Sequence, residues 1–228
     1  MIDHHVRFGP EDMGATDADE LIRLLDAHGV ERAVLGPVGR WVAVDNREGN
    51  EALSAAIRRH PDRLLGYACV NPWYGIRAVD ELRRALDAGL CGLKLEPARQ
   101  GLRLLDPQLV PVLGAAAHRG VPVYVVTGVP IAAEPLQLTE LARRWPGLTF
   151  VMGRSGRTDF STDLIPALAA VPNIVAETAY NGPGDLRRIA DAIGAHRVVF
   201  AGDLPANDLG LELARVARTG LTLGSLFP

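Results

Sequence analysis

Lysine is almost missing from this chain. Of its 24 basic residues, Lys94 is the single lysine and the rest are arginine. A coding bias explains the general preference but not the one place where lysine persists, so Lys94 is singled out. Cysteine is scarce too. Cys69 and Cys91 both lie in apolar runs, which excludes a disulfide scaffold and predicts a reducing, cytoplasmic setting. No apolar run is long enough to span a bilayer, and the N-terminus lacks the basic-then-apolar order of a secretory signal. The net charge of −3 is too balanced to call for nucleic acid or an anionic membrane as a partner. There is no G-x-G-x-x-G after the first strand, no P-loop and no zinc-finger spacing. No setting for a Ser/His/Asp triad or a cysteine nucleophile is visible either.

What is present is an alternation. Strand-like runs occur at 2–8 (IDHHVRF), 32–37, 64–70, 91–97, 121–127, 148–154, 174–180 and 198–203. Helical runs such as ADELIRLLDAHG and VDELRRALDAG lie between them, with apolar residues three and four apart and stops at Gly or before Pro. Alternating β and α elements imply a parallel sheet, and eight units favour a closed barrel over an open one. The expected fold is a compact (β/α)8 TIM barrel forming a single domain over residues 1–228. Such a barrel carries its chemistry at the C-terminal ends of its strands.

Strand side chains alternate between two faces. On the first strand this groups Asp3, His5 and Arg7 toward the interior, with His4 turned outward. It likewise groups Gly92, Lys94 and Glu96; Phe150, Met152 and Arg154; and Val199, Ala201 and Asp203. Asn71, Thr127 and either Glu177 or Thr178 stand at the ends of the third, fifth and seventh strands, and Trp73 follows the third. His28, His60, His118 and His196 lie near helix C-termini at the opposite end, where a structural role is expected.

The strand ends resemble the amidohydrolase-related family of metal-dependent TIM-barrel hydrolases and decarboxylases. Ile2-Asp3-His4-His5-Val6-Arg7-Phe8-Gly9 stands in register with that family's I-D-x-H-x-H opening. Gly92-Leu93-Lys94-Leu95-Glu96-Pro97 matches its G-x-K-L-x-P, and Pro122 to Gly128 its P-V-x-x-H-x-G. Phe150 to Gly156 matches F-x-x-x-H-x-G, and Phe200-Ala201-Gly202-Asp203-Leu204-Pro205 matches F-G-S-D-x-P. The resemblance implies a metal held by two first-strand histidines, a fifth-strand histidine and the eighth-strand aspartate, with a further histidine on the sixth strand. This chain departs from it. His5 and Asp203 keep two places, whereas Arg7, Val126 and Arg154 fill the others.

A catalytic zinc site usually has three protein ligands and an open position. Valine cannot ligate, and arginine has no lone pair to give. The expectation is therefore no metal cofactor; zinc or another divalent ion, if held, would sit on His5 and Asp203. The expected function is acid/base chemistry (hydrolysis, decarboxylation or another lyase-type step) on a small anionic metabolite. His5, Asp203 and Lys94 are the catalytic candidates. Arg7 and Arg154 are expected to grip a carboxylate or phosphate, with Glu96, Asn71, Thr127, Glu177 and Trp73 contributing to binding. The alternatives are a metal-dependent hydrolase with rearranged ligands, and a non-catalytic pseudoenzyme that binds a small anion or a protein partner. Nothing in the sequence marks an interface, which leaves monomer and homodimer both open.

Overall fold

Eight parallel strands follow one another around the molecule in chain order. A computed structural model describes residues 1–11, 13–156 and 160–228. The strands are β1 (Ile2–Phe8), β2 (Arg32–Pro37), β3 (Leu64–Cys69), β4 (Gly92–Leu95), β5 (Val123–Val126), β6 (Phe150–Gly153), β7 (Ile174–Glu177) and β8 (Val198–Val199). The helices around them are α1 (Ala18–Ala27), α2 (Arg40–Ala43), α3 (Asn46–Arg59), α4 (Ile76–Asp87) and α5 (Pro97–Gln100). They continue as α6 (Leu109–Arg119), α7 (Pro135–Arg144), α8 (Ser161–Ala169), α9 (Pro183–Ile193) and α10 (Leu209–Ala217). This is the (β/α)8 barrel that the alternation predicts. Among the described residues no helix is long and apolar enough to cross a membrane.

Beyond the short β8, the chain still pairs with β1. His4 N donates to Phe200 O, Asp203 N to His5 O and Arg7 N to Leu204 O, at 2.7–3.1 Å. These bonds close the ring and bring the tips of β1 and β8 together.

Both faces of each strand are covered, as in other all-parallel sheets, so the strands read as apolar runs. Val34, Tyr67, Tyr124, Val126, Val151, Val175 and Val199 fill the barrel interior. Val6, Leu35, Leu93, Val125, Phe150 and Met152 pack in the layer beneath the helices. The grouping expected on β6 holds for Phe150 and Met152 but not for Arg154, which lies beyond the end of the strand. Phe150 and Met152 face the helices, and Arg154 reaches the barrel mouth from the turn after β6.

His4 needs a similar correction. Its ring stacks on Phe227 with centroids 6.0 Å apart, its Nδ1 lies 3.1 Å from Phe200 O, and its Nε2 accepts from Leu226 N. Phe227 and Leu226 pack against the interior cluster, so His4 does not face the helical layer. The cause is an extra residue in β1. Asp3 pairs with Ala33 and Val6 with Leu35, so three steps on β1 match two on β2. A bulge of this kind breaks alternation and re-aims side chains.

Two glycines set the interior geometry. A Cβ on Gly36 would sit 2.8 Å from His5 Nε2, and one on Gly153 would sit 2.6 Å from the Tyr124 hydroxyl. Both positions need the missing side chain because a ring occupies its space.

Candidate active site

At the C-terminal end of the barrel lies a cavity of about 200 Å³. Its lining includes His5, Arg7, Lys94, Glu96, Arg99 and Arg154, with Met13, Val38 and Val126 as apolar members. The first strand, the fourth strand and the β6 turn thus bring five sequence-predicted residues to one place.

Asp203, in a left-handed backbone conformation (φ 50°), is not itself in the lining but lies against His5 and Arg7, which are. Arg7 grips it in bidentate fashion, Nε to Oδ1 at 2.9 Å and one terminal nitrogen to Oδ2 at 2.7 Å. Tyr180 donates to Oδ2 at 2.5 Å, and His5 Nδ1 lies 3.0 Å from Oδ1. Burial alone would raise this carboxyl, but the His5 and Arg7 contacts outweigh it and hold it far below the usual carboxylate range. Arg7 is held correspondingly more firmly charged: burial opposes its charge, and Asp203 overrides that.

His5 is clamped on one ring face. It stacks on Tyr124 with centroids 4.4 Å apart and planes at 7°. Burial lowers its pKa to about 4, Lys94 and Arg7 push the same way, and Asp203 opposes them. The imidazole is therefore neutral near pH 7. With a carboxylate at Nδ1 the proton belongs there, and Nε2 carries the lone pair. Nδ1 has the Asp203 carboxylate at 3.0 Å without full hydrogen-bond alignment, and Nε2 has no hydrogen-bond partner among the described residues.

Lys94 is buried, donates from Nζ to Pro37 O at 2.8 Å and stands 4.0 Å from Glu96 Oε2. Burial lowers its pKa, with Glu96 opposing and Arg7 adding to the fall. Burial would raise Glu96, but the nearby cations Lys94, Arg99 and Arg154 lower it. Arg99 also meets Glu96, at 3.3 Å. Among the described residues the Arg154 guanidinium makes no ion pair or hydrogen bond; only its backbone N–H is engaged, with Glu177.

The remaining predicted residues do not line the cavity. Asn71 caps the turn at Pro72–Tyr74, accepting from Trp73 N and donating to Ala43 O. Trp73 is 55% exposed, with its Nε1 bonded to Gly101 O. Thr127 Oγ1 donates to Gly153 O and accepts from Gly156 N. Glu177 is buried, and its Oε1 takes the Arg154 N–H. For Asn71 and Thr127 the reason is the same: a polar side chain at a strand end satisfies turn backbone before it can face a ligand.

Sequence reasoning missed Tyr124, Tyr180 and Arg99. Tyr124 carried a signal, because it shares an inward face with Val126 and is a polar ring in an apolar run. Tyr180 (φ 65°) and Arg99 (on α5) arrive through turns that no spacing announced.

The Amidohydrolase family model matches residues 2–224, and the chain belongs to that family. It is thus of the hydrolase or lyase type. No curated relative matches it in sequence. Among solved structures, 2,6-dihydroxybenzoate decarboxylase complexed with 2,6-dihydroxybenzoate is similar at 19% identity and TM-score 0.79, over 97% of this chain and 93% of that one. A dihydroxybenzoic acid decarboxylase from Polaromonas, with bound manganese and 2-nitroresorcinol, matches at 17% identity and TM-score 0.75, over 97% and 91% of the two chains. The 5-carboxyvanillate decarboxylase from Novosphingobium aromaticivorans, also with manganese, matches at 15% and 0.75, over 94% and 88%.

These neighbours overturn the expectation that no metal cofactor is involved, since two of them hold manganese. The described residues do not reproduce such a site: among them, no group of three or more His, Cys, Asp or Glu is placed to hold an ion. Both oxygens of Asp203 already face Arg7 and Tyr180.

Proposed function

We propose that this enzyme binds a small organic carboxylate in the cavity and carries out a proton-transfer step on it, hydrolytic or decarboxylative, with His5 and Asp203 as the acid/base pair. One observation carries the reading. Lys94, Arg99 and Arg154 converge on a cavity of about 200 Å³ beside a buried imidazole whose Nε2 is free among the described residues. Asp203 pairs with Arg7, and among the described residues the Arg154 guanidinium facing the cavity has no ion-pair partner, which suits an anionic ligand. The cavity suits a single ring or a short chain, because a cavity of about 150 Å³ already accepts benzene. The solved neighbours named for 2,6-dihydroxybenzoate and 5-carboxyvanillate act on carboxylates of that size, which supports the same class here.

Binding the anion prepares the chemistry. A carboxylate about 5 Å from His5, at an effective dielectric of about 20, is worth about 3 kcal/mol, or about 2 pKa units. The imidazole, too weak a base in the empty pocket, then rises toward neutrality when substrate arrives. Asp203 holds the tautomer and supports the imidazolium that forms. Lys94, with its own pKa lowered by burial, is a second group of the lining able to give or take a proton.

The test is a screen of benzoate and hydroxybenzoates for binding by calorimetry and for turnover by chromatography, in wild type, Arg154→Ala and His5→Ala. The reading expects carboxylate binding that weakens about tenfold in Arg154→Ala. It also expects turnover abolished in His5→Ala with binding kept. Equal binding by wild type and Arg154→Ala would sink the anion reading; binding without turnover by any protein would leave a non-catalytic binder.

A further inference from the structure

The turn after β6 is held in an unusual shape. Arg154, Ser155 and Gly156 follow one another with φ of 59°, 44° and 66°. Two successive non-glycine residues in the left-handed region are costly, of order 1 kcal/mol or more each, and persist only where the surroundings over-determine them. Three buried side chains do so. Thr127 Oγ1 takes the Gly156 N–H at 2.9 Å. Ser155 Oγ donates to Glu177 O at 2.6 Å and accepts from Glu177 N at 3.0 Å. Glu177 Oε1 takes the Arg154 N–H at 2.5 Å.

Glu177 therefore touches the functional turn at three points but does not line the cavity. Its Oε2 is buried and meets no donor at full hydrogen-bond geometry among the described residues, with the Tyr124 hydroxyl as a nearby polar neighbour of the carboxyl. An ionised carboxylate placed this way would keep a buried oxygen unsolvated. It would also put a negative charge on the turn that carries Arg154.

We propose that Glu177 is the positioning residue of the anion site: in its neutral form it fixes Arg154 through the backbone N–H and keeps negative charge away from the bound carboxylate. The proposal rests on the anion-binding reading above. The surroundings of Glu177 support it. Burial raises its pKa to about 8 against the lowering effect of the Arg154 N–H, and the charge of Asp203 on the β8 side adds to the rise. Tyr124 on β5 lowers it and Asp3 on β1 raises it slightly. Tyr67 on β3 also interacts with Glu177, and its own phenol is pushed well above its ordinary range by burial.

Glutamine is the same shape, is neutral at every pH and offers the same oxygen to Arg154. Alanine offers nothing. The experiment measures benzoate affinity by calorimetry between about pH 7 and pH 9.5 for wild type, Glu177→Gln and Glu177→Ala. It also follows the Arg154 amide resonance by NMR in the first two proteins. Wild type should lose about tenfold in affinity as Glu177 ionises, Glu177→Gln should lose much less, and Glu177→Ala should bind about tenfold more weakly at pH 7. Titration of Lys94 affects all three proteins alike, so the difference between profiles reads Glu177. The Arg154 amide should shift in wild type with a midpoint near pH 8 and stay still in Glu177→Gln. Parallel affinity profiles, an Arg154 amide indifferent to pH, or Glu177→Gln binding as poorly as Glu177→Ala would each overturn the proposal. If Glu177→Ala does not fold, the Gln comparison and the amide titration still decide. Wild type that ignores benzoate would fell the anion reading alone, while the amide arm would still judge the positioning role.

Discussion

Arg7 and Asp203 meet in a bidentate pair at 2.9 and 2.7 Å, across the seam where the first and eighth strands close the barrel. The pair sets a fixed cation beside His5 and occupies both oxygens of the Asp203 carboxylate. His5 is oriented by the same carboxylate, so the charge state of Asp203 and the tautomer of the imidazole are set together.

Removing Arg7 should therefore cost stability first and activity second. Arg7→Ala leaves Asp203 buried beside Tyr180 and a neutral His5, and breaking one half of a buried pair costs about 3 kcal/mol or more. Urea denaturation at about pH 7 should show that loss, with Arg7→Lys recovering part of it because one contact of the fork survives. A midpoint unchanged in Arg7→Ala would mean the pair adds nothing beyond its own desolvation cost.

Lys94 should behave in the opposite way. It is buried, its pKa is lowered by that burial, and it meets the Pro37 carbonyl at 2.8 Å and Glu96 only at 4.0 Å, while Glu96 keeps Arg99 as a second partner. A methionine of similar length removes the desolvation penalty and keeps the volume, so Lys94→Met should leave stability within about 1 kcal/mol of wild type or raise it. Turnover should be lost, since both a cation and a proton donor of the lining disappear. Thermal melting alongside product formation would separate the two effects; a variant that is destabilised yet active would show Lys94 to be a structural residue.

The β1 strand shows how much of this could be read beforehand. The alternation of elements, the barrel and the inward aim of His5, Lys94 and Asp203 all follow from periodicities of 3.6 and 2, which depend only on local sequence. Periodicity fails where one extra residue enters. The bulge between Asp3 and Val6 turns His4 inward, and the turn after β6 delivers Arg154 from outside the strand pattern. Asn71, Thr127 and Glu177 were read at the right places in the chain but with the wrong partners. Whether a polar side chain at a strand end meets a ligand or a turn N–H depends on the turn's dihedrals, which no spacing encodes. Tyr180 and Arg99 came into the site through such turns.

Gly36 offers a test of how tightly the imidazole is set. A Cβ there would lie 2.8 Å from His5 Nε2 and 3.2 Å from Lys94 Cδ. Gly36→Ala must displace one of them, and overpacking of this size costs about 1–3 kcal/mol. Because Nε2 is the atom assigned to proton transfer, kcat should fall more than KM rises. A steady-state comparison showing unchanged kcat would mean that the ring yields without consequence and that its placement is not used.

The stability profile with pH follows from four buried groups that titrate abnormally. His4 and His5 are lowered to about 4, while burial raises Asp3 to about 7 and Glu177 to about 8. A histidine with a lowered folded pKa destabilises the fold as pH falls from about 6.5 toward 4, because the unfolded chain binds the extra proton. A carboxyl with a raised folded pKa has the opposite sign: the native state holds the proton, and stability falls as pH climbs from about 4.5 to the folded value. Between about pH 4.5 and 6.5 the two histidines and the two acids oppose each other, and the profile should be nearly flat. Above about pH 6.5 the histidines are neutral in both states; the two acids then lower stability as pH rises, and Lys94, whose folded pKa is lowered, opposes them only once it begins to lose its proton. Stability should then decline until about pH 8, with Glu177 contributing about 2 kcal/mol over that span. Melting temperatures of wild type and Glu177→Gln across this range check the argument, since the variant should lose most of the alkaline decline and keep the acid limb. A wild type whose stability rises between pH 6.5 and 8 would show that Asp3 and Glu177 are ionised in the native barrel.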